Sequence, residues 1–269
     1  MRAPLRFQRI LGVRFFVGNA EDAIELISRQ GGLIVVPAAP ALTNLPVNRR
    51  YREALLGADF ALPDSAFMVL LWNLLHIHRE NLPKLSGLRY LRALVLRPEF
   101  CAPGSSFWVM PSGPASRRNV KWLNENGVHV DANQVYVAPM YGDSIADDIL
   151  LRRLEERRPR HIVLGLGGGT QESLGLYLKR NLSYTPAIHC VGAAIAFLSG
   201  DQVHIPVWVD QAGLGWLWRI ASNPVAFLPR YWSARRLVPM MLLYRERMPS
   251  EIPQPAPELR AARPRPVER

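Results

Sequence analysis

Between residues 20 and 200 the chain alternates short apolar runs with segments of helical periodicity, and this pattern limits its fold more than any other feature. Short runs rich in valine, isoleucine and leucine are typical of strands buried on both faces. Such runs predict strands at residues 33–36, 58–62, 107–110, 135–138, 161–166 and 187–191. The segments between them predict helices at residues 21–30, 45–57, 115–126, 144–157 and 171–181 and helices beginning at 65 and 86. This alternation predicts an α/β fold with a mostly parallel sheet.

Several helix ends are marked by capping residues. Asn19 precedes the first helix, Ser86 precedes another, and Ser144 with Asp147 resembles a capping box. The longest uncharged apolar stretch, Ser65–Leu75, is too short to span a bilayer and predicts a buried helix. The N-terminus has scattered arginines and no clean signal peptide, so we expect a cytoplasmic protein whose attachment to a membrane surface stays open.

The character of the chain changes after residue 200, which predicts three parts. Residues 1–205 form the α/β core, residues 206–247 a helical, basic and aromatic-rich appendage, and residues 248–269 a disordered tail rich in proline. Trp and Arg together suit a membrane interface, with rings at headgroup depth and guanidinium groups on phosphates. An ordinary helical cap and a nucleic-acid surface are the alternatives for the appendage.

Composition excludes several classes. A hydrophobic content of 49% excludes a wholly disordered chain. Cys101 and Cys190 have no zinc-like spacing, and the histidines form no recognisable ligand set, so we expect neither a metal nor a cofactor. The formal charge of +11, with 33 basic against 22 acidic residues, predicts an anionic partner or reflects an arginine-rich composition.

The segment from His161 to Glu172 is the first candidate for a binding site. A strand that runs into a glycine-rich turn and then a helix brings backbone N–H groups close to a phosphate. Gly165, Gly167 and Gly168 lie in this turn, and Gln171 and Glu172 begin the helix. The segment lacks a GxGxxG fingerprint and a Walker lysine, so a tight turn without a ligand is the alternative.

Two further candidates follow other strands. Asp64 lies just past a strand end, where open α/β sheets place reactive groups, and a partly desolvated carboxylate can act as a general base. Its alternative role is an ordinary helix N-cap. Gly192 also follows a strand and permits close backbone approach, or serves only packing.

Taken together and in order, these motifs resemble the WecG/TagA/CpsF glycosyltransferases, glycosyltransferase family 26. The resemblance covers residues from about 10 to 245 and is carried by Ala58-Asp59, Leu62-Pro63-Asp64, Ser86-Gly87, Val163–Glu172, Val191-Gly192-Ala193, Gly200, Pro206, Trp208, Gly213-Leu214, Trp216-Leu217, Arg219, Asn223-Pro224 and Arg230-Tyr231. It implies a Rossmann-like αβα sandwich of the GT-E type with a helical C-terminal appendage.

The resemblance also implies an activity: inverting, metal-independent transfer of a sugar from a UDP-sugar to a polyprenyl-diphosphate-linked saccharide. The product would be exopolysaccharide, capsule or teichoic acid, made on the inner face of the plasma membrane. Asp64 would be the catalytic base. Donor binding would fall to Gly165, Gly167, Gly168, Gln171, Glu172 and Gly192, and contact with the diphosphate and the anionic membrane to Arg219, Arg230 and Arg236. Neither a metal nor a nucleic-acid partner is implied, and the oligomeric state stays open.

The chain departs from the family pattern, mostly where members carry polar side chains. The departures are Val36, Ala38, Ser65, Gly169-Thr170, Ala196, His204-Ile205 before the matching Pro206, and Gly215. They support an alternative function, a catalytically impaired protein that binds nucleotide sugars within a polysaccharide assembly complex. A nucleic-acid-binding α/β protein, drawn to its partner by the +11 charge, is a third hypothesis.

Overall fold

A computed structural model describes residues 5–78, 80–142, 144–200, 209, 215–225 and 232–252. Within these residues the strands are β1 (Arg6–Ile10), β2 (Val13–Val17), β3 (Gly32–Val35), β4 (Phe60–Ala61), β5 (Ser106–Met110), β6 (Val135–Val137), β7 (His161–Leu164) and β8 (Ala187–Cys190). The helices are α1 (Ala20–Gln30), α2 (Ala39–Leu42), α3 (Arg49–Gly57), α4 (Ala66–Leu75), α5 (Gly87–Leu94), α6 (Pro98–Cys101), α7 (Gly113–Glu125), α8 (Asp148–Arg157), α9 (Thr170–Asn181), α10 (Ala194–Leu198), α11 (Gly215–Ser222) and α12 (Leu237–Tyr244).

The eight strands form one sheet in the order β1-β2-β4-β3-β8-β7-β5-β6. Among the described strands only β1 and β2 pair in antiparallel fashion, and all the other neighbouring pairs are parallel. The predicted α/β fold with a mostly parallel sheet is therefore confirmed. Each predicted strand is present and lies within about two residues of its predicted ends.

Helices cover both faces of the sheet and bury its apolar side chains. On one face α3, α4, α8, α9 and α12 pack over residues such as Leu33 and Val35. On the other face α1, α5, α7 and α10 pack over residues such as Ile34 and Val163. Burial on both faces explains why these strands are continuous apolar runs in the sequence.

The β1–β2 hairpin was not predicted from the sequence. It turns at Leu11 and Gly12, which both have positive φ angles, as a tight two-residue hairpin turn requires. The segment after α12 holds this turn, because the backbone N–H of Leu11 donates to the Arg245 carbonyl and that of Gly12 to the Glu246 carbonyl. The C-terminal segment therefore contributes directly to the folding of the N-terminal strands.

Helix α12 is part of the same core as the sheet. Leu237 and Met241 are fully buried there, beside Trp72 of α4. Beyond it, the backbone N–H of Ile252 donates to the Pro46 carbonyl, at 2.8 Å. The division of the chain into a core, an appendage and a tail stays a prediction, and most of the appendage and tail lies outside the described residues.

Two local predictions were wrong. The N-cap of α8 is Asp147 and not Ser144, because the Asp147 carboxylate accepts from the backbone N–H of Leu150 and from the hydroxyls of Tyr136 and Tyr141. Helix α4 is not wholly buried, since only one of its faces contacts the core. Among the helices that the structure describes, none is long and apolar enough to cross a membrane.

Candidate active site

The candidate residues gather at the carboxyl edge of the sheet, where β3, β4, β7 and β8 end. Strand β3 lies between β4, which follows it in the chain, and β8, the last of the strands that the structure describes. The chain order therefore reverses beside β3, and open α/β sheets bind ligands outside the carboxyl ends of their strands at such a switch point. This topology places Asp64, the glycine-rich turn and Gly192 at one edge of the sheet.

The glycine-rich turn between β7 and α9 exposes its backbone. Gly167 and Gly168 are exposed, and a Cβ atom added at either of them, or at Gly169, would meet nothing within 4 Å. Gly169 has a φ of 91°, which glycine adopts without strain. A ligand can thus approach the turn and the N-terminal end of α9 closely, where N–H groups and the helix dipole favour an anion.

Gln171 and Glu172 lie beneath this turn, not on its surface. Their exposed fractions are 3% and 1%. A Glu172 carboxylate oxygen accepts from the backbone N–H of Gly169 at 2.6 Å, and the other oxygen accepts from the Gln171 amide at 3.1 Å. Burial raises the pKa of the Glu172 carboxyl above its ordinary value, whereas these hydrogen bonds oppose the rise.

Gln171 joins this turn to the turn after β8. Its amide oxygen accepts from the backbone N–H of Gly192 at 2.7 Å. Gly192 has a φ of 59°, and a Cβ atom there would lie 3.3 Å from the Gln171 amide nitrogen. A Cβ atom at Gly165 would lie 3.8 Å from the Gly192 carbonyl oxygen. The structure therefore brings Gly165, Gly192 and the glycine-rich turn together, with Gln171 as the link.

Asp64 lies beside these turns. It follows β4, is partly exposed, and its Oδ1 accepts from the backbone N–H of Gly87 at 3.0 Å, at the start of α5. Gly87, the residue that Asp64 contacts, lies close to the ends of β3 and β8. A Cβ atom added at Gly87 would lie 3.1 Å from Val36 and 3.7 Å from the Val191 carbonyl. Asp64 therefore lies near the ends of these two strands. The N-cap of α4 is Ser65, whose hydroxyl accepts from the backbone N–H of Met68. Ser65, and not Asp64, therefore caps α4.

The predicted basic residues are described unevenly. Arg236 is exposed, in a 3₁₀ turn before α12. Arg219 lies in α11, and its side chain is outside the described residues, as is the whole of Arg230. Beside Arg236, the guanidinium of Arg235 stacks over the exposed ring of Trp232, 4.4 Å from its centroid. Contact of Arg219, Arg230 or Arg236 with a diphosphate stays a prediction.

Sequence reasoning missed two buried polar groups. Tyr51 of α3 has a hydroxyl with no hydrogen-bond partner among the described residues, and burial, followed by the nearby charge of Glu172, raises its pKa. His161 and His189, on neighbouring strands, join through ring nitrogens 3.1 Å apart, and His189 also contacts the Tyr90 hydroxyl at 2.9 Å. The His161–His189 contact has no sequence signal, because it depends on the register of β7 against β8. No group of His, Cys, Asp or Glu within the described ranges could hold a metal ion.

Fold and site together define a Rossmann-like α/β protein with an exposed glycine-rich turn and a carboxylate at the switch point of its sheet. The model of the glycosyl transferase WecG/TagA/CpsF family matches residues 8–251, nearly the whole chain. The chain therefore belongs to this family, and the resemblance seen in its motifs is confirmed. A search of curated proteins returned no match. Family membership makes the protein a glycosyltransferase of cell-surface polysaccharide synthesis, with nucleotide-sugar and acceptor substrates.

Proposed function

We propose that the protein transfers a sugar from a UDP-sugar to a polyprenyl-diphosphate-linked saccharide, with inversion and without a metal ion. The observation that carries this proposal is the position of Asp64, a partly exposed carboxylate at the carboxyl edge of the sheet, near the switch point where the glycine-rich turn and the turn at Gly192 also lie. A general base and an anion-binding surface on one edge are what displacement of a nucleotide diphosphate requires.

In the proposed reaction Asp64 removes the proton from the acceptor hydroxyl as that oxygen attacks the anomeric carbon. The bond between the anomeric carbon and the diphosphate oxygen breaks, and UDP leaves with the electron pair. A single displacement from the opposite side inverts the anomeric configuration. The exposed N–H groups of Gly167 and Gly168 and the start of α9 stabilise the charge that develops on UDP.

We assign Gln171 and Glu172 a positioning role in this reaction. Both are buried, and their hydrogen bonds go to Gly169 and Gly192, one in each turn. Aligned donors stabilise a developing charge best when no reorganisation is needed at the moment of reaction. Direct contact of the two side chains with the donor, which the family resemblance implies, is not needed for this role.

We further propose that residues 206–247 dock on the inner face of the plasma membrane, with Arg219, Arg230 and Arg236 facing phosphates. The exposed Trp232–Arg235 pair supports this, since such pairs suit an interface. Deletion of residues 212–269 is the obvious test from the sequence, but it would also remove Leu237 and Met241 from the core. Substitutions at exposed arginines, such as Arg236→Glu, test the docking without that damage.

The test of the activity is a donor screen with the purified full-length chain. Each of a panel of UDP-sugars is mixed with an undecaprenyl-diphosphate-sugar acceptor, and UDP release is measured with and without EDTA. We expect one donor to be consumed at the same rate with and without EDTA. NMR of the product should show the inverted anomeric configuration. Consumption of no donor contradicts the proposal.

The structure also favours a second candidate, a protein that binds the nucleotide sugar without turnover. Apolar Val36 follows β3 at a position where the family resemblance implies a polar side chain, and it lies against Gly87 beside Asp64. Measurable UDP binding together with no turnover on the whole panel would establish this candidate in place of the transferase.

A further inference from the structure

Helix α4 presents an apolar stripe to solvent directly after Asp64. Leu70 and Leu74 of this helix are 69% and 68% exposed, and Ile77 in the following turn is 69% exposed. Phe67, one turn before Leu70, is exposed as well. Positions three and four apart lie on one side of a helix, so these side chains form a single stripe. Met68, Val69 and Trp72 on the other side of the helix face the core.

The neighbouring helix extends this apolar surface. Helix α12 packs against α4, and its sequence LVPMMLLY contains no charged residue. Leu237 and Met241 fill the core, whereas Leu242 and Leu243 are exposed. Two helices in contact, each with an apolar exposed side, form a surface larger than the scattered apolar residues of ordinary protein surfaces.

Arginines stand at both ends of α12. Arg235 and Arg236 precede it, Arg245 and Arg247 follow it, and all four are exposed. Trp232, stacked under Arg235, is exposed at the same end. Apolar side chains flanked by arginine and tryptophan are complementary to a bilayer surface, where acyl chains lie beside anionic phosphates. A second protein copy would have to place acidic groups against these arginines.

We propose that the stripe of α4, together with the exposed side of α12, is the surface that enters the headgroup region of an anionic bilayer. The inference rests on the proposed function, because the acceptor of that reaction is held in the bilayer. Asp64 precedes the N-cap of α4, so a lipid-facing α4 places the catalytic base next to the membrane surface. Helix α12 and the arginines beside it belong to the docking segment of residues 206–247, and the new element is α4, which extends that surface into the α/β core.

Vesicle co-sedimentation tests this contact with the full-length chain. The test variant is Leu70→Glu/Leu74→Glu, which adds two charges in the stripe and keeps good helix formers. The matched control is Leu56→Glu/Leu96→Glu, at positions 53% and 78% exposed outside α4 and α12. With phosphatidylglycerol–phosphatidylcholine vesicles we expect the test variant to bind about tenfold more weakly or worse, because apolar burial drives interfacial binding. The control variant should stay within about twofold of the parent, since its charge change is the same but lies elsewhere.

Equal losses in the two variants, or full binding by the test variant, would overturn the proposal. So would light scattering that finds a dimer in the parent and a monomer in the test variant, because the stripe would then join two copies. Turnover on a short-chain, water-soluble acceptor separates this proposal from the catalytic one. The test variant should retain that turnover, whereas a parent that binds vesicles but turns over no donor refutes only the proposed reaction.

Discussion

Replacement of Gln171 by leucine tests whether the glycine-rich turn and the turn at Gly192 must be held together. The substitution keeps the size of a buried side chain but removes its acceptor for the Gly192 N–H and its donor to Glu172. The N–H of Gly192 loses its 2.7 Å partner, and the Glu172 carboxylate keeps only the backbone donors. The pKa of Glu172, which burial already raises, should rise further.

The cost of this change follows from the two hydrogen bonds. A buried donor left without a partner costs about 1–3 kcal/mol, and a hydrogen bond to a charged group contributes about 1.5–3 kcal/mol. Together they predict a loss of about 2.5–6 kcal/mol in the free energy of unfolding, or a fall in Tm of roughly 5–20 °C. Misalignment of the turns should raise the Kd for UDP about tenfold, which corresponds to only about 1.4 kcal/mol of binding free energy.

Gln134→Leu is the matched control. Gln134 is also buried and also joins two backbone groups, the Ser106 carbonyl and the Asp131 N–H, but at the amino end of β5. Differential scanning fluorimetry should show similar losses of Tm in both variants, and calorimetry should show weaker UDP binding only in Gln171→Leu. Equal UDP affinities in the two variants would refute the positioning role.

Two further predictions concern the open turn and the buried histidines. Gly167→Ala should leave Tm within about 1 °C of the parent, like the control Gly142→Ala, because a Cβ atom at either position meets nothing within 4 Å. Calorimetry should nevertheless find weaker UDP binding in Gly167→Ala alone, and unchanged affinity would contradict close approach of the donor there. Burial lowers the pKa of His161 to about 4 and that of His189 below its ordinary value. The unfolded chain therefore takes up these protons first, so stability is complete above about pH 6.5 and is lost as the pH falls towards 4. For His161 the loss is about 3 kcal/mol, since each pKa unit corresponds to about 1.4 kcal/mol. Urea unfolding at a series of pH values should show a shallower dependence in His161→Leu, and identical slopes would refute this.

The fold was largely predictable because its central strands are buried on both faces. Runs such as Leu33–Val36 and His161–Leu166 stand out for that reason. The β1–β2 hairpin escaped prediction because its strands carry Arg6, Arg9 and Arg14, which interrupt the apolar pattern at the edge of the sheet. Its turn also depends on the distant carbonyl of Arg245, which no local pattern reveals.

The site was predictable as a set of positions but not as a set of roles. Motif order indicated Asp64, the glycine-rich turn and Gly192, and the structure brings these elements to one edge. The sequence alone could not show that the side chains of Gln171 and Glu172 are buried and accept hydrogen bonds from the two turns. Residue type does not determine whether a polar side chain binds a ligand or the backbone of its own protein. Nor could an uncharged run such as Ser65–Leu75 show which of its sides meets the core.

Turnover by Asp64→Asn, compared with that of the parent, tests most directly whether Asp64 is the catalytic base. Asparagine keeps an oxygen that accepts from the backbone N–H of Gly87, so the Tm should change by only a few degrees, but it cannot take the acceptor's proton. With the donor that the screen identifies and a lipid-linked acceptor, kcat should fall about 10²–10⁴-fold, the usual contribution of a general base. A kcat within about threefold of the parent would contradict the central claim that Asp64 is the catalytic base.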